Sequence, residues 1–436
     1  MRILFVTDFY DPYTGGVEIH VKTVAEALAA RGHEVGVATL PAGDHLPSRS
    51  DDGPVQVFPV EHTIARVGRG FAKVDRPWAP PMPDPVAMAG LRRVVRRFRP
   101  DVIHGHDWLA RSVLPRVVSG SVPVVTTLHY YTRTCAKKTL WRDGRVCDGP
   151  SLPRCLHCAA DHYGTARGAV VTVGLRVGAA LEDRRSARHL SVSTATACGN
   201  GLGVDDNRSL VVPNPVTSAV LADEAGGGTA TGTEATEGGD RTTDLGRDLV
   251  PEAVPSGPFV AFVGDLRPEK GIHVLLDAVG RLRRDHGCDV PLVLVGERTT
   301  DGLVQPSHTI ELGPVDHEVV QAVWRRATVG VVPSLWPEPF GLVATEAMAA
   351  GCPLVASDIG GLADILGPDP DGTARGVLVA PGDAGSLAKA LDELLGDPSR
   401  RRRLATAARA SLDRYAIDAV VDTIEVAYRR AMGGVG

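Results

Sequence analysis

The chain has 436 residues, 43% of them hydrophobic and 23% charged, with a net charge of −5. That composition fits a soluble globular protein, the length exceeds one ordinary core and suits two domains, and nothing in the charge demands a nucleic-acid partner. The opening MRILFVTDFYDPYTGG turns polar too early for a secretion signal, and no apolar run approaches the roughly 20 residues of a membrane span, so a cytoplasmic protein without structural disulfides is expected.

Ile3–Val6, Val35–Thr39, Val102–His104 and Val124–Leu128 read as buried strands. Between the first two, Val17, Val21, Val24 and Leu28 recur at helical spacing and Gly32 closes the helix. Strand, helix, strand at this interval predicts a parallel doubly wound sheet. Farther on, LRRVVRRFRP (91–100) sets Leu91, Val94, Val95 and Phe98 on one helical face and five arginines on the others. Such a basic face is ordinarily solvated, and it would also attract anionic lipid, which suggests peripheral contact with the inner membrane face.

The pattern restarts with strands at Phe259–Val263, Val290–Val295, Val329–Val332 and Leu354–Ala356 and helices over 273–284, 318–326 and 342–350. Two domains are therefore expected, over 1–205 and 206–412, with a ligand cleft between them. VVPNPV (211–216) reads as the first strand of the second domain. The stretch at about 223–250, rich in Gly and Thr with a single large apolar residue over 223–248, reads as a disordered insertion within that domain. The amphipathic segment at 413–436 is expected to pack back on the first domain.

The chemistry concentrates in PSLWPEPFGLVATEAMAAGCPLVAS (333–357). A strand ends, a Pro-rich loop carries Glu338, and a helix begins near Phe340–Leu342, so the N–H groups of Phe340, Gly341 and Leu342 form an anion site. Glu346, early in a helix of small apolar residues, would pair or accept hydrogen bonds from a ligand's hydroxyls, and a ribose fits that need.

The E-P-F-G-L-x-x-x-E spacing, with AMAAGCPLVASDIGG after it, resembles the donor-site signature of the family-4 retaining glycosyltransferases, which have the GT-B fold: two doubly wound Rossmann-like domains facing a central cleft. FVGDLRPEKG (262–271), DFYDPYTGGVEIHV (8–21), PDVIHGHDW and VVTTLHYY extend the resemblance over nearly the whole chain. It implies a retaining transfer of a sugar from a UDP- or GDP-sugar to the hydroxyl of a saccharide, lipid-linked or small-molecule acceptor, without a catalytic cofactor. Lys270 would bind the diphosphate, Glu346 the ribose and Glu338 the transferred sugar; Gly15 and Gly16 would let a helix start approach the donor; His129 would stand near the anomeric centre. The family places Arg directly after the glycine of the FVG strand, where this chain has Asp265; Arg267, two residues on, is expected to take that role. Asp369-Pro370-Asp371 reads as a turn rather than a metal motif, leaving a lysine, an arginine and a helix N-terminus to stabilise the leaving group. His104 is expected to pack at a strand end. A non-catalytic nucleotide-sugar-binding protein, or a sugar-nucleotide epimerase or hydrolase, are the competing readings.

TCAKKTLWRDGRVCDGPSLPRCLHC (134–158) holds four of the seven cysteines. The pair Cys155 and Cys158 is a C-x-x-C knuckle; with Cys135 and Cys147 it would bind a structural zinc with no open position for catalysis, the alternatives being two disulfides or free thiols in a mobile loop, or an iron–sulfur cluster. Here too the chain resembles a subset of the family with a cysteine-rich loop in the N-terminal domain.

Overall fold

The computed structural model describes residues 1–13, 15–41, 53–64, 78–216 and 251–433. The segment expected to be disordered, at about 223–250, lies outside the described residues. The chain divides into two compact units, Met1–Pro215 with Ile417–Gly436, and Val216–Ala416.

In the first unit, strands β1 (Arg2–Thr7), β2 (Glu34–Thr39), β3 (Val55–Pro59), β4 (Val102–His106) and β5 (Val124–Leu128) precede a two-stranded hairpin, β6 (Trp141–Arg142) with β7 (Arg145–Val146). β8 (Ser186–Ser191) and β9 (Ser209–Val211) complete a seven-stranded sheet in the order β3-β2-β1-β4-β5-β8-β9, parallel throughout. Buried on both faces, such strands need continuous apolar runs, and Ile3 to Val6 are wholly inaccessible. Helix α1 (Gly16–Ala30) buries Val17, Val21, Val24 and Leu28 against this sheet, and α2 (Pro85–Phe98) buries Leu91, Val94 and Phe98 while Arg92, Arg93, Arg96 and Arg97 face outward. The helices that follow are α3 (Arg116–Ser119), α4 (Leu152–Tyr163), α5 (Thr165–Arg185) and α6 (Thr194–Gly199).

VVPNPV does not open the second domain. Ser209–Val211 pairs in parallel with β8 through His189↔Ser209 and Ser191↔Val211, closing the first sheet, so the division falls after Pro215. The strand's apolar run is as well satisfied at this edge as at the start of a new sheet, and sequence pattern alone does not separate the two.

The second unit repeats the plan. Its strands are β10 (Val260–Val263), β11 (Leu292–Val295), β12 (Thr309–Gly313), β13 (Val329–Val332), β14 (Leu354–Ser357) and β15 (Val377–Val379), ordered β12-β11-β10-β13-β14-β15 and all parallel. Helices α7 (Ile272–His286), α8 (His317–Arg326), α9 (Leu342–Ala349), α10 (Gly361–Leu366), α11 (Ala384–Gly396) and α12 (Pro398–Ala410) accompany them. The closing helix α13 (Ile417–Gly433) belongs to the first unit: Val420, Val421, Ile424 and Tyr428 share a core cluster with Val21, Val24 and Leu28, and Arg31 holds Asp418 at 2.8 Å and Asp422 at 2.5 Å.

In both sheets the strand order reverses beside the first strand, between β1 and β4 and between β10 and β13. Ligands of open parallel sheets bind beyond the carboxyl ends of strands at that reversal. Among the described residues no helix is long and apolar enough to cross a membrane.

Candidate active site

Beyond β10 the chain runs through Asp265 and Arg267 into a short turn, Pro268–Lys270; beyond β13 it runs from Pro333 to α9. The Leu335 N–H donates to the Glu269 carbonyl at 2.9 Å, joining the two loops. Across that joint Lys270 Nζ meets Glu338 Oε1 at 2.6 Å, and Ser334 Oγ donates to the same oxygen at 2.8 Å. A carboxylate only 7% exposed needs such partners. Its backbone is fixed as well: the Gly361 N–H donates to the Glu338 carbonyl at 2.7 Å, and a Cβ on Gly360, at φ +62, would strike the Glu338 backbone.

Gly341, at φ +109, is the residue before α9, and no side chain caps the helix. A Cβ there would be strained and would meet Leu362 at 2.8 Å. The leading N–H groups, at the positive end of the helix dipole, are thus offered to a ligand. The Phe340 side chain is core, 5% exposed and edge-on to Tyr415, so only its backbone can serve the site; Leu342 is half-buried. Glu346 is half-buried on α9, and burial raises its carboxyl pKa against the opposing pull of His317. Lys270, Glu338, Gly341 and Glu346 therefore belong to one loop-and-helix assembly.

Arg267 pairs with Asp265 at 3.0 Å, both half-exposed. The pair must open before Arg267 can meet a diphosphate, and a pair so exposed holds with no more than about 1 kcal/mol. Asp369 is engaged by Arg375 at 2.9 Å and Arg414 at 3.0 Å, and Asp371 accepts from the Thr373 N–H, so the D-P-D segment is a turn tied down by arginines.

In the first unit the polar residues lie on β4, just beyond β1 and β5, and on α1. His106 Nδ1 and His129 Nε2 are 2.9 Å apart, and the His20 ring lies edge-on to His129 at 4.6 Å. His104, beneath them, bonds Thr127 Oγ1 and the Tyr428 hydroxyl, each at 2.6 Å, so α13 reaches into this cluster. Burial pushes the His129 and His104 pKa values down to about 3 and those of His20 and His106 well below the usual 6.5, with the neighbouring imidazoles adding to the effect. All four are neutral at physiological pH, and His129 can offer a hydrogen bond but not a charge. Donor atoms of His20, His106 and His129 all lie within 4.8 Å of one another, yet the facing nitrogens of His106 and His129 already serve each other.

Gly15 stands just before α1 and Gly16 begins it; a Cβ on Gly15 would collide with the Glu18 carboxylate folded back over the helix start. Asp8, after β1, accepts from the Leu109 N–H at 2.6 Å, and burial followed by the nearby Asp107 raises its pKa to about 7. Lys138 answers both acids from the cysteine segment: its ammonium stands 3.5 Å above the Trp78 ring and 4.3 Å from that of Trp108.

Cys135, Cys147, Cys155 and Cys158 line one cavity as free thiols, together with Leu140, Trp141 and Ala159. Ser334, Gly360, Gly361, Asp8, His20 and Lys138 were not singled out by sequence. His20 carried the clearest signal, a histidine on the apolar face of α1; Ser334 and Gly360 carried none beyond lying inside the motif.

Two parallel sheets of this order, each with its polar residues beyond the reversal, define the GT-B class, and the chain is a glycosyltransferase of the nucleotide-sugar-dependent kind. It belongs to Glycosyltransferase Family 4, whose model matches residues 14–219, joined to the Glycosyl transferases group 1 domain over residues 251–411. It is 30% identical to a glycogen synthase of Mycobacterium tuberculosis, over 94% of this chain and 90% of that one, and 30% identical to a D-inositol 3-phosphate glycosyltransferase of Nocardia farcinica, over 89% and 79%. Similar solved structures include the sucrose-phosphate synthase of Thermosynechococcus elongatus (TM-score 0.65, 20% identity, 99% and 100% covered) and the catalytic domain of Arabidopsis thaliana starch synthase IV bound to ADP and acarbose (0.63, 18%, 99% and 99%). The chain is accordingly an enzyme of the hexosyltransferase type.

Proposed function

We propose that this enzyme moves a hexose from a UDP- or GDP-sugar to an acceptor hydroxyl with retention of anomeric configuration. The observation that carries the reading is the Lys270–Glu338 pair at 2.6 Å, set in the same loop assembly as the uncapped start of α9. An incoming diphosphate draws the Lys270 ammonium from Glu338, and the freed carboxylate accepts hydroxyls of the transferred sugar. The N–H groups at the start of α9 receive phosphate oxygens, Glu346 holds the ribose, and Arg267 joins once its pair with Asp265 opens. Departure of the nucleoside diphosphate is then eased by fixed positive charge placed where negative charge develops. Neutral His129 donates or accepts a hydrogen bond at the sugar, and Gly15 and Gly16 admit the donor close to α1.

Names of relatives support acceptors that are saccharides or phosphorylated cyclitols, and neighbours solved with UDP or ADP support a nucleoside diphosphate leaving group. The exposed arginine face of α2 supports a peripheral encounter with an anionic membrane carrying a lipid-linked acceptor. The test is turnover of UDP-, GDP- and ADP-glucose with oligosaccharide, cyclitol phosphate and lipid-linked acceptors, the product anomer being read by proton NMR. An α-linked product from an α-donor is expected. Inversion would overturn the proposed stereochemistry, and donor consumption at the same rate with and without any acceptor would favour a hydrolase.

A further inference from the structure

Glycosyl transfer leaves the Cys135–Cys158 segment without a role. Its four thiols arrive from separate pieces of chain: a turn for Cys135, the exit of the β6–β7 hairpin for Cys147, and the first turns of α4 for Cys155 and Cys158. They meet around one cavity and none is in a disulfide. The backbone between them is unusual: Lys138, Leu140 and Asp143 all have positive φ, at 65°, 50° and 51°. Left-handed backbone at a residue as bulky as leucine persists only where the surroundings over-determine it. Apolar support around the cavity comes from Ala136, Leu140, Trp141, Pro150 and Ala159. Lys137, Arg142 and Arg154 line the same cavity, supplying positive charge beside the sulfurs.

We propose that Cys135, Cys147, Cys155 and Cys158 bind a metal centre as four thiolates, and that this centre fixes the turn that inserts Lys138 between Trp78 and Trp108. Four thiolates around a divalent ion leave a net charge of −2, which the three basic side chains offset. Among the described residues the three ligand-type side chains whose donor atoms all approach within 4.8 Å are His20, His106 and His129, so no three of the sulfurs are drawn together that closely, whereas the edge of a tetrahedral zinc–thiolate site is roughly 3.8 Å. A single zinc would draw them inward; an iron–sulfur cluster interposes its own irons and sulfides and accepts a wider spread. The shared chemistry is the four-thiolate centre.

The connection to Lys138 is short. Its N–H donates to the Cys135 carbonyl at 3.0 Å, and its carbonyl accepts from the Tyr131 N–H at 3.2 Å, so the turn held at Cys135 sets the direction of the side chain. The ammonium then faces Asp8 and Asp107, beyond the ends of β1 and β4. Lys138 is a positioning residue: it stands against two indoles and places a positive charge in the field of Asp8 and Asp107, where the first sheet's ligands bind. The kinetic part of this inference rests on the glycosyltransferase reading; the metal part does not.

The test begins with elemental and acid-labile sulfide analysis of full-length protein purified without air. One zinc per chain, or iron and sulfide in equal amounts with visible absorption, supports the centre and identifies it. Metal-free protein whose four thiols all react with a thiol reagent in the native state overturns it. The double variant Cys155→Ser/Cys158→Ser should lose the metal, raise KM for the acceptor at least tenfold, and keep the thermal shift given by nucleoside diphosphate, which reports that the second unit is intact. Lys138→Met should raise the same KM while the metal stays bound. Unchanged acceptor kinetics in both variants would overturn the positioning role, whatever the metal content.

Discussion

The two units carry their polar residues in opposite ways. In the second unit the charges come from two loops, with Lys270 paired to Glu338 and Arg267 to Asp265, and Glu346 lies one helix turn beyond Gly341. In the first unit the groups come from positions 8, 20, 104, 106, 129, 138 and 428, and burial leaves the imidazoles neutral. The second arrangement suits a ligand that brings charge, since a diphosphate can exchange partners with an existing ion pair. The first suits a ligand that brings hydroxyls, for which neutral donors and acceptors suffice.

The contrast breaks most visibly if charge on the donor side proves dispensable. Lys270→Met should lower kcat roughly 10²- to 10³-fold, the usual effect of removing one group that stabilises developing charge, as steady-state rates would show. The first unit should respond to acid instead. Its buried histidines have folded pKa values below their unfolded value of about 6.5, so their neutral forms favour folding fully above that pH, and stability is lost as pH falls toward their folded values near 3. Each such histidine should remove up to about 1.4 kcal/mol of unfolding free energy per pH unit below 6.5, measurable by urea titration between pH 7 and 5. Gly360→Ala forces a Cβ against the Glu338 backbone; it should cost about 1–3 kcal/mol of stability and lower kcat/KM, where an unchanged rate would show that the Glu338 loop tolerates displacement. Ser334→Ala removes one of the two groups on Glu338 Oε1 and should cost about 1 kcal/mol, read as a roughly fivefold fall in kcat. Asp8 should respond to pH in the opposite sense to the histidines. Its raised pKa means the folded state holds the proton more tightly, so stability falls as pH rises from 4 through about 7; Asp8→Asn should flatten that slope in a pH series of melting temperatures.

Legibility followed the same division. The donor motif was readable because one strand–loop–helix passage carries it, so spacing in sequence is nearly spacing in space. The main strands and the helices at α1, α7, α8, α9 and α13 announced themselves by period. β3, β8, β12 and β15 did not: Ser186–Ser191 contains Arg188 and His189, and Val377–Val379 is three residues long. Tyr428 meeting His104 across more than three hundred residues, or Lys138 arriving between Trp78 and Trp108, depends on where helices and turns dock, and no local pattern encodes that. The misplaced domain boundary at VVPNPV has the same origin, since an edge strand's sheet is decided by its partner.

The central claim is that the second unit binds a nucleoside diphosphate through Lys270 and the start of α9. The most direct measurement is thermal unfolding of the wild type and Lys270→Met with UDP, GDP and ADP, with and without EDTA. At a hundredfold excess over Kd a bound nucleotide adds about 2.7 kcal/mol. One of the three should raise the wild-type melting temperature by several degrees, undiminished by EDTA, and the variant should lose most of that shift. Wild-type protein indifferent to all three, or a variant that responds as fully as the wild type, would contradict the account.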